Sequence, residues 1–159
     1  MTLDVTTLRE SFEIVVERSP LLTRRFYEIL FERYPQVRPL FGSSTTKQEE
    51  MLTRALVAVL DRIEDAVWLT ETLETLGAKH VDYGVTEEMY PWVGDALLAT
   101  LAEAAGEAWT PRVRVAWTAA YDAIADLMIS GARRVLAPPS TLPLSRQSPA
   151  ASAPSPSIA

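Results

Sequence analysis

Apolar side chains recur at helical spacing along almost all of the first 137 residues, and that period fixes the class of fold. Leu52, Ala55, Leu56, Val59, Leu60 and Ile63 follow the i, i+3, i+4, i+7, i+8, i+11 series of one helical face. Val113, Ala116, Trp117, Ala120, Ile124, Leu127 and Met128 form a second series, opened by Thr110-Pro111, a capping hydroxyl followed by a first-turn proline. A third runs through Val93, Ala96, Leu97, Leu101 and Ala104 and closes at Gly106. Amphipathic segments also span about Leu8 to Val16, Leu21 to Tyr34 and Leu69 to Tyr83, with a short one after Pro35. No strand-like alternation competes with these periods, and neither Asn-Gly nor Asp-Gly hairpin signals occur. The reading is an all-α domain of about seven helices, several cut short by proline, which suits oblique packing better than a four-helix bundle.

Composition sets the limits of this domain. Six of the eleven prolines and six serines fall after residue 137, with Arg146 the single charge. Residues 1–137 are therefore expected to fold, and residues 138–159 to form a disordered Pro/Ser/Ala-rich tail. With no cysteine, disulfides, thiolate metal sites and cysteine nucleophiles are excluded. With one histidine, His80, a His-rich metal cluster is excluded as well. The formal charge of -6 has no basic cluster to offset it, so nucleic acid is not an expected partner. The longest unbroken apolar run, residues 55–60, is far short of the roughly 20 residues of a membrane span. The opening MTLDVTTLRE lacks the basic and apolar blocks of a secretory signal, so the expected location is cytoplasmic and off the membrane.

The chemistry concentrates around His80. A lone histidine most often serves as a surface or hydrogen-bonded core residue. Here, however, it lies near the end of the helix that Gly84 closes, ten residues before a second helix opens at Tyr90-Pro91-Trp92-Val93-Gly94. No serine nucleophile or elbow accompanies it, so a hydrolase is not supported.

The segment KHVDYGVTEEMYPWVGDALL resembles the proximal-histidine region of bacterial single-domain haemoglobins and of the globin domain of flavohaemoglobins. FYEILFERYPQVRPLF and AWTAAYDAIADLM resemble the same family's second-helix and last-helix patterns, in the family's order across about residues 5–135. The resemblance implies a globin fold around haem b, iron protoporphyrin IX, with His80 as the proximal iron ligand. A neutral imidazole on a helix leaves the opposite coordination position for a gas. The lack of any second histidine excludes bis-histidine coordination within one chain.

By the same resemblance Tyr27 is the distal tyrosine and Gln48 the distal-helix glutamine, and the tyrosine hydroxyl, with or without the amide, stabilises bound dioxygen by hydrogen bonding. Phe41 packs on the porphyrin and Leu52 covers the iron. Val85, Val93, Leu97 and Met128 complete the wall, Tyr90 matches the tyrosine of the family's proximal hydrogen-bonded set, and Lys79 meets a propionate. From periodicity alone the apolar members read equally as core, Gln48 as a solvated side chain and Lys79 as a solvated lysine.

One position departs from the family. The last-helix glutamate that joins the proximal histidine and tyrosine in a hydrogen-bonded set falls here on Ala132. Without that carboxylate the imidazole is an ordinary donor, which favours reversible ligand binding over oxygen activation. The leading expectation is reversible binding of dioxygen, with carbon monoxide and nitric oxide as related ligands. The alternative is a nitric oxide dioxygenase served by an external reductase, because the chain carries no Gly-rich dinucleotide fingerprint. A haem-free sensor or interaction module is the third reading. Oligomeric state stays open, with Trp68, Trp92 and Trp109 available either to an interface or to the core.

Overall fold

The computed structural model describes residues 2–137. The tail expected over 138–159 lies outside the described residues. The described part is built from six α-helices: α1 (Val5–Arg18), α2 (Leu22–Arg33), α3 (Thr46–Asp61), α4 (Ala66–Asp82), α5 (Met89–Ala105) and α6 (Pro111–Leu136). Between α2 and α3 the chain winds a 3-10 turn, Pro35–Leu40, and between α5 and α6 a shorter one, Gly106–Ala108. With the first of these turns counted, the expected seven helical segments are present, and no strand occurs among the described residues. The segment after Pro35 tightens to 3-10 because Pro39 inside it supplies no N–H for an α-helical ladder.

Local chemistry sets the boundaries. The Asp4 carboxylate accepts from the Thr7 N–H at 3.2 Å and opens α1. The Asp65 carboxylate does the same for α4 from the Trp68 N–H at 3.1 Å. Thr110 caps α6 through the Val113 N–H, with Pro111 in the first turn as the sequence predicts. α4 stops at Gly84, whose φ of +88° is open to glycine and costly to any residue with a Cβ.

The apolar interior forms two clusters. The larger joins α1, α2, α5 and the first half of α6, with Leu8, Val15, Phe26, Leu30, Leu101 and Trp117 at its centre. The Trp117 indole donates to Ser11 Oγ at 2.9 Å, and Ser11 in turn donates to the Thr7 carbonyl at 2.6 Å, so this buried polar chain has partners. The smaller cluster joins α4 to the second half of α6 through Leu73, Tyr90, Ala125 and Met128. Tyr121 packs against both.

α4 and α6 touch backbone to backbone. A Cβ on Gly77 would lie 1.9 Å from the Met128 carbonyl oxygen, and one on Gly131 would lie 1.9 Å from that of Glu74. The pairing of 77 with 128 and of 74 with 131 makes the two helices antiparallel at this seam. The tryptophans have partners within the chain: Trp92 stacks on Tyr34 at 5.5 Å, Trp68 lies under the Arg62 guanidinium, and Trp109 packs on the larger cluster. No described helix is long and apolar enough to cross a membrane.

Candidate functional site

His80 is in the last turn of α4, the helix whose depth is set by the glycine seam. Its Nδ1 lies 2.7 Å from the Leu76 carbonyl oxygen one turn back. A carbonyl only accepts, so Nδ1 carries the proton and Nε2 is left with its lone pair. Burial holds the imidazole below its ordinary pKa, against the opposing pull of the Leu76 bond, so the ring is neutral. Tyr83 meets it edge-on at 5.6 Å. The acceptor for His80 is thus a backbone group of its own helix, which no side-chain pattern in the sequence announces.

The candidate distal residues come from α2, the 3-10 turn and α3. Tyr27 is fixed by rings: Phe26 at 4.9 Å, Phe41 at 5.4 Å and Phe31 at 5.9 Å, the first two edge-on. Phe31 and Phe41 also meet at 5.2 Å, with the Arg38 guanidinium over Phe31. Burial and the nearby Glu49 charge push the Tyr27 phenol up to about 12, so it is a proton donor at any physiological pH. Leu52 is half-buried against the larger cluster, while Val59, two turns further along α3, packs against the smaller one. The apolar stripe of α3 therefore reaches both clusters, yet Leu60 is its one fully buried residue.

Two side-chain oxygens are sealed from water without a partner among the described residues, Gln48 Oε1 and the Tyr90 hydroxyl. A buried polar atom without a partner costs about 1–3 kcal/mol, which marks places where something outside the chain belongs or where a partner has been lost. Gln48 lies at the start of α3 beside the apolar stripe. Tyr90 lies in the first turn of α5. It belongs to the smaller cluster with Ala125 and Met128, and Ala132 follows on that face of α6, four residues after Met128, offering only a methyl group. The Tyr121 hydroxyl, by contrast, donates to the Tyr90 carbonyl at 2.6 Å.

Other predicted residues are placed as follows. Val85 and Val93 are half-buried, against the smaller and larger clusters respectively, and Leu97 and Met128 are buried in those same clusters. Lys79 is exposed next to the histidine. Two open surface depressions, one walled by Glu87, Asp126 and Arg133 and one by Asp4, Arg112 and Val115, contain none of the candidate residues. Sequence reading missed the residues that hold the others in place. Gly94 leaves room for the Tyr121 ring, which would lie 2.6 Å from a Cβ there, and Gly77 and Gly131 set the α4 seam. Their signal was available, since glycine inside a helix is costly unless close packing needs it.

The Globin family model matches residues 24–128. The chain is 36% identical over 127 residues to the flavohemoprotein of Bordetella pertussis, covering 78% of this chain and 32% of that protein. It is 34% identical over 125 residues to that of Rhodopirellula baltica, covering 77% of this chain and 31% of that one. It thus spans about a third of the length of these relatives. Among solved structures it resembles a bacterial globin from Campylobacter jejuni, with 27% identity, a TM-score of 0.71, and coverage of 83% of this chain and 96% of that one. It also resembles an engineered carbene transferase, described as a candidate nitric oxide dioxygenase, from Rhodothermus marinus: 28% identity, TM-score 0.75, coverage 85% and 96%. With the family model over most of the described residues and relatives of like fold among solved structures, this chain belongs to the globin family.

Proposed function

We propose that residues 1–137 form a haem-binding unit that takes up dioxygen and related diatomic gases reversibly, in which His80 Nε2 would hold the iron of haem b. The observation that carries this reading is the His80 tautomer. Nδ1 is committed to the Leu76 carbonyl at 2.7 Å, and the neutral ring keeps Nε2 free as a donor atom. The surroundings suit a flat apolar group, with Leu52 and Val93 half-buried against the larger cluster, Val85 against the smaller, and Phe41 half-buried against Tyr27 and Phe31. Haem iron supplies the gas-binding coordination position once His80 holds it. Tyr27 then offers an O–H whose proton is secured by burial, and Gln48 brings a second polar group. Lys79 is exposed beside the ligand and can meet a propionate.

A carbonyl acceptor leaves the imidazole a weaker donor than a carboxylate would, and Ala132 supplies no carboxylate. That supports reversible binding as the primary role. The flavohemoprotein relatives and the Rhodothermus neighbour favour a second reading, in which dioxygen and nitric oxide combine to nitrate while a separate reductase supplies one electron per turnover. Nitrate yield with an added flavin reductase separates the two.

The deciding measurement is the absorption spectrum of the protein as isolated, reduced, and with carbon monoxide, beside His80→Ala. A Soret band that shifts at each step and is lost in the variant is the expected result. A chain that stays colourless after haem reconstitution overturns the assignment and leaves a haem-free sensor or interaction module as the reading.

A further inference from the structure

The start of α3 is tied to α2 by polar groups at a place where an apolar contact would have been the simpler solution. Glu49, in the first turn of α3, has a side chain only 16% exposed. Its carboxylate accepts from Thr45 Oγ1 at 2.9 Å and faces the Arg24 guanidinium of α2 at 3.5 Å. Thr53, one turn beyond Glu49, meets Thr23, the neighbour of Arg24, hydroxyl to hydroxyl at 3.2 Å. Thr23 and Arg24 precede Tyr27 by four and three residues on α2, and Glu49 and Thr53 flank Leu52 on α3, so the same seam carries Tyr27 and Leu52. Gln48, adjacent to Glu49, buries its Oε1 without a partner.

α3 has little else to hold it. It rests on α2 and lightly on α1, and Leu60 alone is fully buried. Thr45 makes no cap bond at the α3 N-terminus, its hydroxyl donating to Glu49, and the Ser44 hydroxyl accepts from the Thr46 N–H at a long 3.3 Å. A largely buried carboxylate needs partners, and Glu49 finds them in the Thr45 hydroxyl and the Arg24 guanidinium. Its place beside Tyr27 and Gln48 gives it a use.

We propose that Glu49 is a positioning residue of the distal side, fastening the first turn of α3 to α2 through Arg24 and Thr45 so that Gln48 and Tyr27 present their polar groups to one bound ligand. Burial, and after it the Glu49 charge, raise the Tyr27 phenol pKa, which places the carboxylate close to that hydroxyl. This inference rests on the haem-binding reading above.

The test compares Glu49→Gln, which keeps a partner for Thr45 but loses the charge and the Arg24 pairing, with Arg24→Gln and Tyr27→Phe. Two readouts on the full chain are used: amide hydrogen exchange over residues 46–56, and, on haem-loaded protein, the C–O stretching band and dissociation rate of the carbon monoxide complex. Glu49→Gln and Arg24→Gln are expected to speed exchange in the first turns of α3 about fivefold, the size of one lost hydrogen bond, and to leave α4 unchanged. Both should also shift or split the C–O band in the direction of Tyr27→Phe and change dissociation by about fivefold. Wild-type exchange and an unmoved band in both variants overturn the proposal. If the wild type takes up no haem, the haem reading has failed, and the exchange data alone decide whether Glu49 fastens α3.

Discussion

Two helices flank the proposed pocket, and they are held by different means. α4 is locked to α6 by backbone contact at Gly77 and Gly131 and by buried Leu73 and Met128, with Arg134 and Ser130 both reaching Glu74 at 3.1 Å. α3 has one buried residue and a polar fastening to α2. Close-packed backbone has few alternative arrangements, whereas a seam of polar pairs with few buried apolar contacts opens locally at low cost. The histidine is thus on the rigid side, and Gln48, one of the two groups proposed to meet a ligand, is on the compliant side. A ligand atom that must stay fixed belongs to the first environment, and a donor that must admit and release a small molecule belongs to the second.

The largest effect tests the rigid side. Gly77→Ala and Gly131→Ala each place a methyl group 1.9 Å from a backbone oxygen, a clash that can be relieved only by parting α4 from α6. Each is expected to destabilise by about 3 kcal/mol or more in denaturant unfolding. Gly42→Ala, where a Cβ meets nothing within 4 Å, is the control and should be close to neutral. If the three variants unfold alike, the seam is not what fixes α4.

A finer comparison uses two tyrosines on the same side of the molecule. Tyr121→Phe removes a 2.6 Å hydrogen bond to the Tyr90 carbonyl at the point where the two clusters join, and should cost about 1 kcal/mol. Tyr90→Phe removes a buried hydroxyl that has no partner among the described residues, and should be neutral or stabilising by up to about 1 kcal/mol. Equal losses in the two would mean that the Tyr90 hydroxyl finds a partner, such as a bound water, that replaces the missing carboxylate at Ala132.

Helical period and capping residues made the fold legible, because each helix buries a stripe that its own sequence carries. Thr110-Pro111, Gly84 and Gly106 mark the ends where the structure has them. The region around His80 was legible only through its resemblance to a family, since period alone reads Phe41, Leu52 and Val93 as ordinary core. Contacts made by backbone atoms were not legible. The Leu76 carbonyl under His80, and the Met128 and Glu74 carbonyls against the glycines, have no side-chain signature of their own. Glu49 was missed for another reason: an acidic residue in a first helical turn is common for electrostatic reasons, and nothing in the sequence tells that its charge faces α2.

The smallest effect concerns the compliant side and appears only in alkali. The Tyr27 phenol is pushed up to about 12 by burial and by Glu49. A group whose folded-state pKa is raised contributes stability that is fully present below its unfolded value, about 10 for tyrosine, and is lost as pH rises through the folded value. Between those limits the unfolded chain releases a proton that the folded chain keeps, so unfolding is favoured. Wild type should therefore lose about 1 kcal/mol relative to Tyr27→Phe between pH 9 and pH 11 in paired denaturant unfolding, with other tyrosines cancelling in the difference. Adding Glu49→Gln to both members of the pair should shrink the loss, because one of the two causes of the shift has gone. A difference that does not change with pH would mean that solvent reaches the Tyr27 hydroxyl freely, and that α3 stands further from α2 in solution than the Arg24 and Thr23 contacts indicate.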